Sequence, residues 1–113
     1  MSKSWDAEAY RRRMTIAAER NESYRNEHKD RLRRGQSNGS ETMHDHVLGE
    51  WWVSRCLATS VATDRPEDLR RELIEMREAK PRFAGAFDQE DARMGYDHEI
   101  DFLLKELDKD MNG

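Results

Sequence analysis

The chain has 113 residues, of which 39% are charged and 35% are hydrophobic, and its formal net charge is −4. This length suits one domain, and the small apolar share excludes a large core. The lone cysteine, Cys56, excludes an intramolecular disulfide. The longest apolar stretch is shorter than the ~20 residues that a bilayer span needs. With no signal peptide at the N-terminus, we expect a cytoplasmic protein without a membrane partner.

Charge is unevenly distributed along the chain. Residues 1–34 contain ten Lys/Arg against six Asp/Glu, whereas residues 35–113 contain ten against eighteen. The front is therefore basic, at +4, and the remainder is acidic, at −8. Ends of opposite charge pair within one chain, pair between two copies or meet a charged partner.

Apolar residues at steps of three, four and seven predict a first helix over residues 5–34. Its apolar stripe thins after Ala18, so the second half is expected to be partly solvated. The segment 35–40, GQSNGS, is the predicted linker, and Gly35 suits the position after a helix C-terminus.

A second helix is predicted over residues 40–62. Its stretch from Val47 to Ala62 is the most apolar of the chain and contains only Glu50 and Arg55 as charged residues. Apolar side chains nearly all round a helix indicate burial on several sides. This pattern predicts that the second helix lies at the centre of the bundle.

Two further helices are predicted, over residues 66–80 and 88–110. Pro66 is tolerated in a first turn, and Asp88 is a favourable N-cap. Gly95 lies inside the last helix, where it costs about 1 kcal/mol relative to Ala, and we expect it to weaken or split that helix.

These elements predict an all-α protein, a single-domain three- to four-helix bundle spanning residues 1–113. Residues 1–34 form a long, basic, partly solvated N-terminal helix, and residues 35–40 form a linker. Residues 41–113 form the helical core, with an apolar central helix and an acidic C-terminal helix. Phe83 and Phe87, between the last two helices, are expected to pack into this core.

The sequence contains one pair of residues that is suited to a metal ion. His46 and Glu50 are four apart and share a helix face. Candidates for a third ligand are His28, Cys56 and His98. Because HExxH and CxxC patterns are absent, we predict no metal ligand and no cofactor. His44 and His46 are interpreted as solvated residues of the first turns.

Two patterns of helical metal-dependent hydrolases are incomplete in this chain. One needs a histidine, a His-Asp pair and a further aspartate. The candidates for it are His28, His44-Asp45 and Asp97 or Asp101, and the first two lie on opposite sides of the linker. The other, from small nucleotide pyrophosphatases, needs two acidic pairs three residues apart. Glu72 and Glu75 form one pair, but the second pair would need a glutamate where His98 stands.

Enzymatic activity is an alternative function, but the sequence contains no complete catalytic motif. Cys56 lies in the most apolar helix, where a thiol is usually an unreactive small side chain. We predict no catalytic residue, and the lack of a complete motif favours a protein without enzymatic activity. The alternative is a small metal-dependent hydrolase of nucleotide type. It would use His46, Glu50, Glu72 and Glu75.

Nucleic-acid binding through the basic N-terminal helix is a second alternative. Nine Lys/Arg lie between Arg11 and Arg34, and such a stripe attracts phosphates. Acids lie three or four residues from many of these cations, as in Glu27 and Arg31, so the helix partly neutralises itself. Long-range attraction of phosphate by an acidic chain is weak.

A protein–protein interaction module is the function that the composition favours. Trp, Tyr, Met and Arg are enriched in the centres of protein interfaces. We expect the protein to bind or regulate a protein partner, and to associate with a second copy of itself. The predicted partner-binding residues are Trp5, Tyr10, Arg13, Arg20, Tyr24 and Trp52.

Overall fold

The computed structural model describes residues 5–36, 39–79 and 81–112, and all regular structure in these ranges is helical. The elements are α1 (Ala7–Arg33), α2 (Ser40–Ala58), a 3₁₀ helix (Val61–Asp64), α3 (Pro66–Glu78) and α4 (Gln89–Asn112). The predicted all-α helical bundle is confirmed. Within the described ranges, every helix is too short or too polar to cross a membrane.

Local signals determine both ends of α1. The Asp6 carboxylate accepts a hydrogen bond from the Ala9 amide at 2.9 Å, which satisfies one free N–H of the first turn. At the other end Gly35 has a φ of +76°, and its amide donates to the Leu32 carbonyl at 3.1 Å. Only glycine adopts this φ at little cost, so the predicted role of Gly35 is confirmed.

α2 lies between α1 and α4 and contacts both of them. Its Leu48, Val53 and Leu57 are fully buried and belong to the same cluster as Tyr96 and Ile100 of α4. Each such side chain contributes roughly 1.5–3 kcal/mol when it leaves water. The prediction of an apolar central helix is therefore confirmed.

The two charged residues within the apolar part of α2 each have a partner. Glu50 is half-buried, and its carboxylate lies 3.0 Å from His46 Nε2, one turn earlier in the same helix. Arg55 is exposed, and its guanidinium lies 5.0 Å from the centre of the Trp51 ring. Neither charge is therefore buried without a partner. An unpaired buried charge would be costly.

α2 and α4 cross where each of them has a glycine. A Cβ on Gly95 would lie 1.9 Å from the His46 carbonyl oxygen, and a Cβ on Gly49 would lie 2.0 Å from the Ala92 carbonyl oxygen. Real Cβ contacts are essentially never shorter than 3.0 Å, so only glycine permits this approach of the two backbones. The expected break at Gly95 does not occur, because α4 continues through it.

The connection between α3 and α4 places one of its two phenylalanines in the core. Phe83 is 1% exposed and lies edge-on to Tyr96. Phe87 is 56% exposed, so the prediction that both pack in the core is wrong for Phe87. The physical reason lies in the backbone: the Asp45 carboxylate binds the amides of Phe87 and Asp88. These bonds hold the loop on α2 and leave the Phe87 ring outside.

Candidate functional site

The outer face of α2 bears an open groove of about 350 Å³. It is lined by Trp51, Trp52, Arg55, Cys56 and Thr59. Three of these residues stand four apart along α2, so one helix face supplies most of the lining. The groove thus opens on the helix that also forms the centre of the core.

A second depression, of about 440 Å³, extends the groove onto α1. It shares Trp51, Arg55 and Thr59 with the first depression. Its wall on α1 is formed by Thr15, Ala18, Glu19 and Glu22. The two depressions together are called the α2 groove. It combines an aromatic floor with one cation on α2 and two carboxylates on α1.

Cations hold the Trp51 ring in place at the floor of the α2 groove. The guanidinium of Arg25 lies 4.8 Å from the ring centre, and that of Arg55 lies 5.0 Å from it. Burial lowers the pKa of Arg25, and the Glu22 carboxylate opposes that shift. Each cation–π contact at a partly exposed ring stabilises the arrangement by about 0.5–1 kcal/mol.

Trp52 and Cys56 form the other side of the α2 groove. The Trp52 ring lies edge-on to Phe83, with 5.4 Å between the ring centres, so its inner edge is fixed by the core. Cys56 is exposed at this surface, yet partial desolvation of its thiol raises the pKa, and Glu72 acts in the same direction against Arg55. The thiol is therefore protonated at neutral pH and is a poor nucleophile.

Two of the six predicted partner-binding residues are engaged within the chain. The Trp5 indole donates to the Thr63 carbonyl at 2.7 Å, and its ring contacts Tyr10. Tyr10 is 8% exposed, and burial raises its pKa to about 12. Both residues attach the start of α1 to the 3₁₀ helix and the core.

The other four residues lie on two different surfaces. Arg13, Arg20 and Tyr24 are exposed and stand seven and four residues apart, so they lie along one side of α1. Arg13 forms an ion pair with Glu106 of α4 at 3.4 Å, which places this stripe beside α4. Trp52 alone belongs to the α2 groove. The assignment of all six residues to a partner stays a prediction.

Of the described residues that line the α2 groove, only Trp52 is among the predicted partner-binding residues, and the unpredicted ones include Trp51, Arg55, Glu19 and Glu22. The sequence contains a signal for two of them, because Trp51 and Arg55 are four apart on one helix. Glu19 and Glu22 come from α1 through tertiary packing, and no local pattern identifies them.

His44 and Asp45 form a buried pair. Both side chains are 0% exposed, and His44 Nδ1 lies 3.0 Å from the Asp45 carboxylate. The interpretation of His44 as a solvated residue is therefore wrong. The Asp45 carboxylate contacts His44 and accepts hydrogen bonds from the loop before α4. Asp97 and Asp101 form ion pairs with Arg77. The His44-Asp45 pair, Asp97 and Asp101 of the first hydrolase pattern therefore make structural contacts.

Burial of His44 predicts a loss of stability in acid. Its Nε2 is buried without a hydrogen-bond partner. Burial lowers the pKa of His44, as do Arg25 and Lys29, while Asp45 opposes the shift. The unfolded chain therefore binds a proton at pH below ~6.5 while the native state does not. His44 therefore contributes a fall in the free energy of unfolding below that pH, of up to about 1.4 kcal/mol per pH unit, whereas Glu99, whose pKa is raised to about 7, contributes in the opposite direction.

Urea unfolding between pH 5 and pH 8 measures this loss. The variant His44→Gln should lack the His44 contribution, so its free energy of unfolding relative to that of the native chain should rise as the pH falls from 8 to 5. The control His28→Gln should keep the native slope. Equal slopes for the native chain and His44→Gln would contradict the assignment of the acid sensitivity to His44.

His46, Glu50 and His98 form a second polar cluster at the crossing of α2 and α4. One nitrogen or oxygen of each residue lies within 4.8 Å of the others, and among the described residues no other group of three potential metal ligands is this close. The two imidazole rings are 5.8 Å apart. Burial raises the pKa of the neighbouring Glu99 to about 7, and the charge of Glu50 adds to the shift.

Only two of the four residues named for the hydrolase alternative lie close together. His46 and Glu50 belong to the cluster at the helix crossing, whereas Glu72 and Glu75 lie on α3 and are not part of it. Glu75 lines a shallow depression beside the 3₁₀ helix. The four residues therefore do not converge on one ion.

Comparison of the chain with protein families, with curated proteins and with solved structures finds no match.

Proposed function

We propose that the protein is a non-enzymatic helical interaction module that binds a second copy of itself through the α2 groove. The observation that carries this proposal is the composition of that groove. Trp51, Trp52 and Arg55 lie on one open surface, and Trp and Arg are the residue types that dominate the energy of protein interfaces. Such an aromatic floor gains free energy when a partner removes it from water.

The fixed positions of the two tryptophan rings in the α2 groove support the same proposal. The Trp51 ring contacts two guanidinium groups, and the Trp52 ring packs edge-on against Phe83. A ring that is already ordered loses little conformational entropy on binding. The α2 groove therefore offers a prearranged surface rather than a flexible one.

Charge complementarity supports a second copy as the occupant. The α2 groove has Arg55 on one side and Glu19 and Glu22 on the other. In a two-fold dimer the same surface is used by both copies, so a residue away from the axis that meets a second residue of the partner is itself met by it in the reciprocal contact. A surface that contains both signs of charge satisfies this requirement, since Arg55 of each copy can face the acids of the other.

Sedimentation velocity over a range of protein concentrations tests the proposal. The mass should rise from the monomer value of 13.4 kDa towards twice that value. Arg55→Glu should weaken the association by about tenfold or more, because like charges then face each other across the interface. Arg12→Glu is the matched control, since Arg12 is exposed and outside the groove. A native chain that stays monomeric at every concentration would refute the proposal.

The contacts of α1 do not favour the nucleic-acid alternative. Four of its cations are paired with acids: Arg11 with Asp64, Arg13 with Glu106, Arg31 with Glu27, and Arg34 at its end with Asp30. Arg31 with Glu27 and Arg34 with Asp30 show the four-residue spacing that predicts such pairs. Paired cations release fewer counterions from a nucleic acid, and the salt-dependent attraction is correspondingly weaker.

A further inference from the structure

We propose that His46, Glu50 and His98 bind a divalent transition-metal ion of the Zn²⁺ class. This site lies at the crossing of α2 and α4 and is separate from the α2 groove. It does not depend on self-association. The ligand set contains two imidazoles and one carboxylate, a combination that zinc sites use when three ligands come from the protein.

The distances within the cluster fit one ion. His46 Nε2 and the Glu50 carboxylate are 3.0 Å apart, and the ligand atoms of all three residues lie within 4.8 Å of one another. Two ligands of a tetrahedral zinc ion, each at about 2.1 Å from it, stand roughly 3.4 Å apart. His98 is the exposed member of the cluster, so its side chain has room to adjust towards that spacing.

The backbone under the cluster is fixed by the glycine crossing. His46 and Glu50 are one turn apart on α2, and His98 is on α4. The His46 carbonyl lies directly against Gly95, where even a Cβ would not fit. Ligands on two helices whose relative position is fixed in this way need little reorganisation when the ion binds.

The donor atoms determine which ions are expected. Imidazole nitrogens suit Zn²⁺, Cu²⁺ and Ni²⁺, whereas Mg²⁺ and Ca²⁺ prefer sites made of oxygen ligands. His98 is exposed, and His46 and Glu50 are half-buried. The ion would therefore be accessible from solvent, with its fourth position open to water.

Titration calorimetry of the metal-free, untagged chain with Zn²⁺ tests the site. We expect one ion per chain. The variants His98→Gln and Glu50→Gln should each weaken binding by about tenfold or more, because each removes one of three ligands. His28→Gln and Glu75→Gln are matched controls outside the cluster and should bind as the native chain does. Mg²⁺ and Ca²⁺ should give no comparable binding.

Thermal unfolding gives a second readout that does not rely on heat of binding. Zn²⁺ should raise the Tm of the native chain and of His28→Gln, but not that of His98→Gln. Since His98 is exposed, its replacement should leave the far-UV circular dichroism unchanged. Arg55→Glu should still bind Zn²⁺, because the metal site does not require the dimer. Equal Zn²⁺ affinity in the native chain, His98→Gln and Glu50→Gln would overturn the proposal.

Discussion

Gly95→Ala is expected to lower the free energy of unfolding by about 2 kcal/mol or more. Two effects oppose each other at this position. Alanine favours an isolated helix over glycine by about 1 kcal/mol, but its Cβ would lie 1.9 Å from the His46 carbonyl oxygen. The obstructing atom belongs to the backbone of α2, so relief requires the two helices to move apart. Overpacking of this kind costs 1–3 kcal/mol and sometimes more.

Urea unfolding monitored by tryptophan fluorescence measures this change. Met94→Ala is the control, because Met94 precedes Gly95 in α4 and is 63% exposed. Its effect should stay within about 0.5 kcal/mol. If Gly95→Ala instead stabilised the protein by about 1 kcal/mol, helix propensity alone would decide the outcome. The close crossing of α2 and α4 would then be refuted.

Asp45→Asn is expected to cost about 3 to 5 kcal/mol of stability. The Asp45 carboxylate is fully buried and accepts hydrogen bonds from the Phe87 amide at 3.0 Å and the Asp88 amide at 2.7 Å. It also pairs with His44 at 3.0 Å. An asparagine keeps one acceptor oxygen and turns an NH₂ group towards a donor. Buried donors that lose an acceptor are costly, and more so when the acceptor is charged.

Hydrogen exchange at the Phe87 and Asp88 amides separates this mechanism from a general loss of stability. Both amides should lose protection in Asp45→Asn before the rest of the core does. Asp110→Asn, at an exposed position near the end of α4, should change neither stability nor exchange. Unchanged protection of the two amides in Asp45→Asn would contradict the role of Asp45 as the anchor of the loop.

Helix positions were predictable because the signals that determine them are local. Gly35 ends α1, Pro66 begins α3 and Asp88 precedes α4, as the sequence predicts. The end of α2 is the exception: the helix stops at Ala58 rather than at residue 62. There the Ser60 hydroxyl accepts a hydrogen bond from the Ala62 amide at 3.2 Å, and a 3₁₀ turn begins. A serine hydroxyl that accepts from a nearby amide competes with the helix for that donor. The sequence alone does not show at which serine this competition ends the helix.

Burial was predictable for most residues from apolar character and periodicity, and His44 and Phe87 are the exceptions. His44 is polar, and its burial depends on Asp45 and on a loop that arrives from more than forty residues later in the chain. Phe87 is apolar, yet the same loop geometry leaves its ring exposed. The role of Gly95 as a contact point also comes from tertiary packing. Single-residue preferences cannot report contacts between segments so far apart.

The cluster of His46, Glu50 and His98 was half predictable for the same reason. The four-residue spacing of His46 and Glu50 identifies a shared helix face. The sequence offers three candidates for the third ligand, and only the crossing of α2 with α4 selects His98 among them. The α2 groove shows the same limit, because its acidic wall comes from α1.

Mixing two charge-reversed variants is the most direct test of self-association through the α2 groove. One variant is Arg55→Glu, and the other combines Glu19→Arg with Glu22→Arg. Each alone should be monomeric, because in a two-fold dimer its own copies would place like charges together. Sedimentation velocity of the equimolar mixture should show a mixed dimer, since opposite charges then face each other at both ends of the interface. A mixture that stays monomeric, while the native chain forms dimers, would contradict association through this groove.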